Sequence, residues 1–226
     1  MIVVDIETSG GNPIEHGIWQ IGAVDLNTME EFLDESRIDD EDKVTEEALI
    51  IIGKTEEELR DSNKQSQKEL LDKFFKWLET RKMKNLLCHL PEFDQGFLKH
   101  KARKYFDTDP FWPNYHRAFD LHSIAQVKFF ELNGKFLKKE DNNSDMGLKN
   151  ILKLCGLEDE RRSVREGKIS REGKPHNALE DAKLTAECFS RLMYGKNLFP
   201  EFSKFEVPKH LTMRHQQSAD VEVLKK

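Results

Sequence analysis

Short runs of apolar, β-branched residues alternate along this chain with longer stretches in which apolar residues recur at helical spacing. Residues 2–7 and 18–24 are typical of buried strands, because isoleucine and valine dominate both. Residues 66–80 predict an amphipathic helix, since leucine and phenylalanine recur on one face between lysines and glutamates. The alternation predicts an α/β fold in which helices cover a sheet. Further strands are predicted near residues 29–33 and 85–89, and further helices over residues 93–105, 120–125, 148–155 and 178–193.

The charge of the chain is unevenly distributed. Residues 30–61 hold fourteen acidic and four basic residues, a net charge of −10, whereas the whole chain carries −6, so the remainder carries +4. A weakly basic remainder is compatible with a polyanionic substrate but does not establish one. Within the acidic stretch, Gly53 predicts a helix break, and Thr55 followed by Glu58 has the capping-box spacing that starts a helix.

Length and cysteine content limit the class of protein. At 226 residues, 37% of them hydrophobic, the chain is long enough for one domain with a substantial core. The three cysteines, Cys88, Cys155 and Cys188, lack paired spacing, which predicts buried free thiols in a reducing compartment. No apolar run approaches the ~20 residues of a membrane span, and residues 1–4 run straight into Asp5, so we expect no secretory signal. These features predict a cytoplasmic protein without membrane contact.

Two carboxylates end the first predicted strand. Asp5 and Glu7 are two residues apart, so their side chains point to the same side of the strand. Such a pair repels unless a cation lies between the two groups, and hard oxygen ligands suit Mg²⁺ or Mn²⁺. The alternative is a pair of solvated acids at a strand end.

A third acid, Asp94, lies where the strand predicted at residues 85–89 gives way to a helix. An aspartate at this position is a candidate metal ligand. It is equally an ordinary choice for capping a helix N-terminus.

The last motif precedes the final predicted helix. Asn177 is placed as its N-cap, with Glu180 three residues later. Asp181 then lies in the second turn of a rigid helix, and His176 lies just outside it in the approaching segment. A histidine there can act on a site that the aspartate helps to build, although an isolated histidine beside a helix start is commonly structural.

Taken together, an Asp-x-Glu strand, a later Phe-Asp opening a helix and a late His-x4-Asp resemble the DEDDh, or DnaQ-like, 3′→5′ exonuclease family. The resemblance covers residues 1–194 and includes 18–24 as the family's second strand, 48–55 as its mid-chain helical region and 177–182 as its third motif. It implies an RNase H-like fold, with a central mixed β-sheet flanked by α-helices. It also implies an exonuclease domain over residues 1–194 and leaves residues 195–226 as a C-terminal extension of unknown role.

The same resemblance implies a mechanism. Two divalent ions, Mg²⁺ or Mn²⁺, would be held by Asp5, Glu7, Asp94 and Asp181, with Asp5 bridging both ions. His176 would act as general base, which suits a side chain whose ordinary pKa is about 6.5. The stretch from Asn177 to Asp181 contains no tyrosine, so the chain is similar to the histidine form of the family.

Two further residues are implied to contact substrate. Thr8 matches a position that touches the terminal nucleotide in relatives, and Phe93 is a candidate for packing against that nucleotide. Phe97 is expected to pack in the core. The chain departs from the family pattern at Leu90, where relatives often carry asparagine.

The expected partner is a nucleic-acid 3′ end, and the product is a nucleoside 5′-monophosphate. DNA and RNA both remain open as substrates, as does action with a polymerase or another replication or repair partner. Two alternatives from other classes are a catalytically silent interaction module with the same fold and a phosphodiesterase for very short oligonucleotides.

Two basic segments have ambiguous roles. Residues 99–104 carry lysine, histidine and arginine on a predicted helix, as either a solvated face or a track for phosphates. Residues 158–175 are almost wholly charged or glycine, which predicts a surface loop. Because this loop precedes His176 directly, we expect it to order over bound substrate and carry the histidine into place.

Overall fold

The computed structural model describes residues 1–108, 110 and 117–212. Its main sheet has five strands in the order β3-β2-β1-β4-β5. β1 pairs antiparallel with β2 and parallel with β4, β2 pairs antiparallel with β3, and β4 pairs parallel with β5. The sheet is therefore mixed, and the predicted α/β class is confirmed. The strands are β1 (Ile2–Thr8), β2 (Ile18–Asp25), β3 (Glu31–Glu35), β4 (Leu86–Cys88) and β5 (Ala118–Asp120).

Two helices, over residues 67–79 and 91–105, contact this sheet, and apolar periodicity predicts both. The described helices are α1 (Glu46–Ile52), α2 (Glu56–Leu59), α3 (Gln67–Glu79), α4 (Pro91–Tyr105), α5 (Leu121–Asn133), α6 (Leu148–Leu154), α7 (Ala178–Tyr194) and α8 (Lys209–Thr212). The apolar face of α3, including Leu70 and Phe74, is buried in one core cluster with Ile2, Val4 and Phe97. No helix within the described residues is both long enough and apolar enough to cross a membrane.

The acidic middle of the chain folds as its turn residues predict. Gly53 ends α1 in the left-handed region at φ 66°, which costs a glycine little. The Thr55 side chain accepts a hydrogen bond from the backbone N–H of Glu58, and the Glu58 carboxylate accepts one from Thr55 in return. This confirms the capping box at the start of α2.

The basic face of α4 neutralises part of the acidic stretch. Lys101 is buried, and its Nζ lies 2.6 Å from Oδ1 of the equally buried Asp42. Lys104 contacts both Asp39 and Glu41, each at 2.6 Å. Because Lys101 is buried, neither a solvated face nor a phosphate track describes it, and the role of the other basic residues of 99–104 stays a prediction.

Residues 158–175 are not the irregular loop that their composition predicts. Within them, β6 (Ser163–Arg165) and β7 (Lys168–Arg171) form an antiparallel hairpin. The hairpin is anchored to α1, where Arg162 Nη1 donates to the carbonyl of Ile50 at 2.7 Å. Pairing between the two strands and the hydrogen bond to α1 give this segment a regular structure, which its charged composition does not predict.

The chain divides into two compact units. The first comprises residues 1–121 and 160–185, and the second comprises residues 122–159 and the described part of 186–226. In the second unit, Arg191 and Glu187 are fully buried and form an ion pair at 2.8 Å. Arg191 also donates to the carbonyls of Cys155, Phe202 and Phe205. The predicted domain boundary at residue 194, where α7 ends, stays a prediction.

Candidate active site

Asp5 and Glu7 lie side by side near the carboxyl end of β1, as strand alternation predicts. Their partners on β2 are Gly22 and Gln20. Burial raises the pKa of both carboxyls well above the ordinary range. Repulsion from Asp181 and Asp94 adds to this rise. Ionisation of two buried acids is unfavourable without a counter-charge, so this environment favours a bound cation.

Asp94 enters the same cluster from α4. The helix begins at Pro91 with Leu90 as N-cap, so Asp94 lies in the first turn and does not cap it. Its side chain is buried, and the backbone N–H of Ile6 on β1 partly opposes the rise in its pKa. Burial, with the nearby Asp181, raises the pKa of Asp94 to about 7.

Asp181 and His176 are brought to the cluster by the start of α7. Oδ1 of Asn177 accepts hydrogen bonds from the backbone N–H groups of Leu179 and Glu180 at 3.1 and 3.2 Å, which confirms it as the N-cap. Asp181 is buried in the following turn. Nδ1 of His176 lies 3.4 Å from Oδ2 of Asp181.

The ring of His176 is held in one orientation. Nε2 lies 3.0 Å from the carbonyl oxygen of Arg162, and the backbone N–H of His176 donates to the carbonyl of Ile51 at 3.1 Å. Because a carbonyl only accepts, Nε2 carries a proton, and the other ring nitrogen, Nδ1, faces Asp181. His176 thus lies at the cluster in this structure, and ordering of residues 158–175 over bound substrate stays a prediction.

The residues present fit divalent cations. Among the described residues, Oε1 of Glu7 and Oδ1 of Asp181 are buried without a hydrogen-bond partner. One ligand atom from each of Glu7, His176 and Asp181 lies within 4.8 Å of the others. Asp5 and Asp94 are outside this group, although the charge of Asp94 helps to raise the pKa of Glu7. Orphaned buried oxygens of this kind are the ligands that Mg²⁺ and Mn²⁺ prefer.

Gln20 and Gly22 position α7 on the sheet. Oε1 of the buried Gln20 accepts the backbone N–H of Ala178, the first residue of α7, at 2.8 Å. A Cβ on Gly22 would lie 2.2 Å from the Ala178 carbonyl carbon, so a side chain there is excluded. The sequence predicts only a strand for both residues. Both residues contact a helix that begins 156 or more residues later in the chain. The sequence of β2 alone does not indicate this contact.

Arg161 is the charged site residue that the motifs missed. Its Nη1 lies 3.2 Å from Oδ2 of Asp181, and its side chain is 13% exposed. Its positive charge opposes the raised pKa of both Asp5 and Glu7. The available signal was weak, because Arg161 was one of six basic residues in the segment before His176.

The two predicted substrate contacts flank the acids. Thr8 is buried, and its hydroxyl donates to the carbonyl of Gly10 at 2.7 Å. Phe93 is partly buried, with its ring centroid 5.0 Å from that of the fully buried Phe97. Phe97 is a core residue, as predicted, and the contacts of Thr8 and Phe93 with a nucleotide stay predictions.

Comparison with known proteins identifies the family. Residues 2–189 match the family model RNase_T, described as exonuclease. The chain belongs to this exonuclease family. It is a DEDDh, DnaQ-like exonuclease of the RNase H-like superfamily, as the sequence motifs predicted, and membership of this family implies a nuclease that depends on divalent metal ions.

Solved structures confirm the fold. The exonuclease is similar to E. coli exonuclease I in complex with a dT13 oligonucleotide, at 18% identity and a TM-score of 0.61, covering 84% of this chain and 40% of that chain. An apo exonuclease I is similar at 18% identity and a TM-score of 0.65, and the match covers 86% of this chain and 42% of that chain. The chain thus spans about two fifths of these proteins. No curated protein sequence matches it. The predicted RNase H-like fold is confirmed.

Proposed function

We propose that this exonuclease removes nucleotides from nucleic-acid 3′ ends and releases nucleoside 5′-monophosphates. Four carboxylates from β1, α4 and α7 meet beside Nδ1 of His176, and this arrangement carries the proposal. Two of the four, Glu7 and Asp181, present buried oxygens for which the described residues offer no hydrogen bond. Such a cluster fits phosphodiester hydrolysis with two Mg²⁺ or Mn²⁺ ions.

Each acid has a defined part in the proposed metal site. Asp5, whose pKa is raised by burial and further by the charges of Asp181, Asp94 and Glu7, would be one of the metal ligands. Glu7 and Asp181 would complete one ion's site, and Asp94 would support the other. When bound, the two ions supply stabilisation of the attacking and leaving oxygens and acidify a water molecule.

His176 is the proposed general base. Its Nε2–H is fixed on the Arg162 carbonyl, so Nδ1 is the nitrogen that can accept a proton from the attacking water. Holding the ring in advance avoids an unfavourable loss of side-chain freedom at the moment of reaction.

The proposed substrate is a single strand. E. coli exonuclease I has been solved with dT13 and dA16 oligonucleotides, and the shared fold supports a similar ligand here. The proposed contacts to the terminal nucleotide are Thr8, which directly follows Glu7, and Phe93, which directly precedes Asp94. A cytoplasmic location and association with a polymerase or another replication or repair protein are separate proposals, to be tested by fractionation and copurification.

The direction of degradation is tested with a 5′-labelled single strand. With Mg²⁺ we expect a ladder shortening from the 3′ end and release of mononucleotide. A 3′-phosphate and EDTA should each stop the reaction. Loss from the 5′ end, or an unchanged rate in EDTA, would refute the proposal. Matched DNA and RNA strands of two to twenty nucleotides then define the sugar and length preference, and activity restricted to the shortest strands would favour the small-oligonucleotide alternative.

A further inference from the structure

Arg161 places a guanidinium at the acidic cluster. It precedes β6 and reaches Asp181 with Nη1 at 3.2 Å from Oδ2, the same oxygen that faces Nδ1 of His176. With 13% of its side chain exposed, it is largely shielded from water but not sealed off. A partly desolvated guanidinium beside reacting groups interacts far more strongly with an anion than a solvated one does.

The backbone of Arg161 is fixed from the neighbouring strand. Its carbonyl accepts a hydrogen bond from Nη2 of Arg171 at 2.7 Å, and it forms a β-bridge with Lys174. At Gly173 the two chain segments approach so closely that a Cβ would lie 2.5 Å from the carbonyl oxygen of Glu160. These backbone contacts hold Arg161 in a position from which its side chain reaches the acidic cluster.

Arg161 also fits the charge requirement of the reaction. Two divalent cations would balance four ionised carboxylates, so Asp181 would depend less on the positive charge of Arg161, and an anion could approach that charge. A phosphodiester carries one negative charge, and a guanidinium offers it two parallel N–H donors. Without cations, Arg161 offsets the acids only partly, since Oε1 of Glu7 and Oδ1 of Asp181 stay unpaired among the described residues.

We propose that Arg161 is a phosphate-binding residue of this site. It rests on Asp181 when cations are absent, and donates to a non-bridging oxygen of the 3′-terminal phosphodiester when cations and substrate are bound. This inference rests on the proposed function, because it assigns the contact to the same 3′-terminal phosphate.

Activity is compared in Arg161→Gln, Arg161→Lys and Arg165→Gln. Arg165 lies on the same hairpin with 82% of its side chain exposed, so its variant controls for loss of one positive charge. We expect kcat/KM on a single strand with Mg²⁺ to fall on the order of 10²-fold in Arg161→Gln, as for other charge-stabilising donors. Arg161→Lys should lose less, and Arg165→Gln should match the wild type.

Equilibrium binding separates phosphate recognition from a structural role. In Arg161→Gln, calorimetry without nucleic acid should show tighter Mn²⁺ binding, because a competing cation has been removed. With Mn²⁺ present, a nucleoside 5′-monophosphate should bind more weakly than to the wild type, while the unphosphorylated nucleoside should bind equally. Weaker Mn²⁺ binding, or equal losses for nucleotide and nucleoside, would overturn the inference.

The outcomes distinguish this inference from the proposed function. If the wild type lacks metal-dependent activity at 3′ ends, the proposed function fails. If the wild type is active and Arg161→Gln is equally active, only the role of Arg161 fails. Thermal melts in EDTA identify a misfolded Arg161→Gln, in which case Arg161→Lys, which keeps the charge but loses the forked donor, decides by the same nucleotide and nucleoside comparison.

Discussion

At the level of single residues, Asp94 illustrates how burial changes a carboxyl group. Its pKa is raised from 3.8 to about 7, so the folded metal-free protein holds a proton that the unfolded chain releases near pH 4. The stability that depends on this proton is present below about pH 4 and is lost as the pH rises through about 7.

Asp94→Asn should therefore flatten the pH dependence of stability. In EDTA, we expect the free energy of unfolding of the wild type to fall more steeply between pH 5 and pH 8 than that of the variant. Urea denaturation at both pH values measures the difference. Equal slopes for the two proteins would contradict a protonated Asp94 in the metal-free site.

His176→Ala tests the second residue-scale assignment. Loss of a general base should lower kcat by about 10²–10⁴-fold. Binding of a single strand with Ca²⁺ in place of Mg²⁺ should change little, because Nε2 contacts the chain itself. The exposed His210 offers a control variant, His210→Ala. An active His176→Ala enzyme would require a different base.

The sequence predicted some site residues for physical reasons that are local. Alternation along one strand places Asp5 and Glu7 on one side, and Asn177 as N-cap fixes the turn that carries Asp181. Arg161 could not be found this way, because its approach to Asp181 depends on pairing with residues 171–174. Asp94 was predictable in part. The predicted strand and helix boundaries placed it at the start of a helix, but they did not decide whether it caps the helix or is buried in the site.

At the level of elements, the contact of β2 with the start of α7 determines where Asp181 and His176 lie. Gly22→Ala would drive a methyl group into the Ala178 backbone at 2.2 Å. We expect a loss of at least about 1–3 kcal/mol of stability, with reduced activity in the protein that remains folded.

Gly11→Ala is the matched control, because an added Cβ there meets no heavy atom within 4 Å in the part of the chain that the structure describes. Its stability should stay within about 0.5 kcal/mol of the wild type. Urea unfolding of the two variants measures both values. Equal stabilities would show that α7 can move away from β2 without consequence.

Element boundaries were predictable where apolar periodicity is strong and failed where strands are short and polar. The predicted helices at residues 66–80 and 178–193 agree with α3 and α7. The β6–β7 hairpin lacks alternation, and its turn residues Glu166 and Gly167 adopt φ values of 53° and 71°. Two left-handed residues suit a tight hairpin turn, but glutamate is an uncommon choice for the first, so Gly167 alone is a weak turn signal.

At the level of the whole molecule, the contribution of the second unit's buried ion pair to stability can be tested. In the second unit, Arg191→Met would leave Glu187 buried without its cationic partner. We expect a loss of about 3–5 kcal/mol, the usual effect of isolating one member of a buried ion pair. Lys196→Ala, at an exposed position of the same unit, serves as control. Denaturant unfolding of both variants gives the comparison, and equal stabilities would contradict the assigned role of the pair.

The fold class followed from the alternation of strands and helices over the whole chain. The division into two units did not, because residues 159 and 160 lie within a uniformly charged stretch that carries no compositional boundary. Net charge was also insufficient: the acidic stretch is partly neutralised by Lys101 and Lys104 of α4, which only tertiary structure brings to it.

The burial of all three cysteines has a practical consequence. A thiol shielded from solvent reacts slowly with maleimides, so one cysteine introduced at the surface can be labelled selectively. Arg165→Cys would attach a fluorophore to the exposed part of the hairpin whose other end holds Arg161 and His176. Arrival of a nucleic-acid strand could then be followed in real time, with every native cysteine left in place.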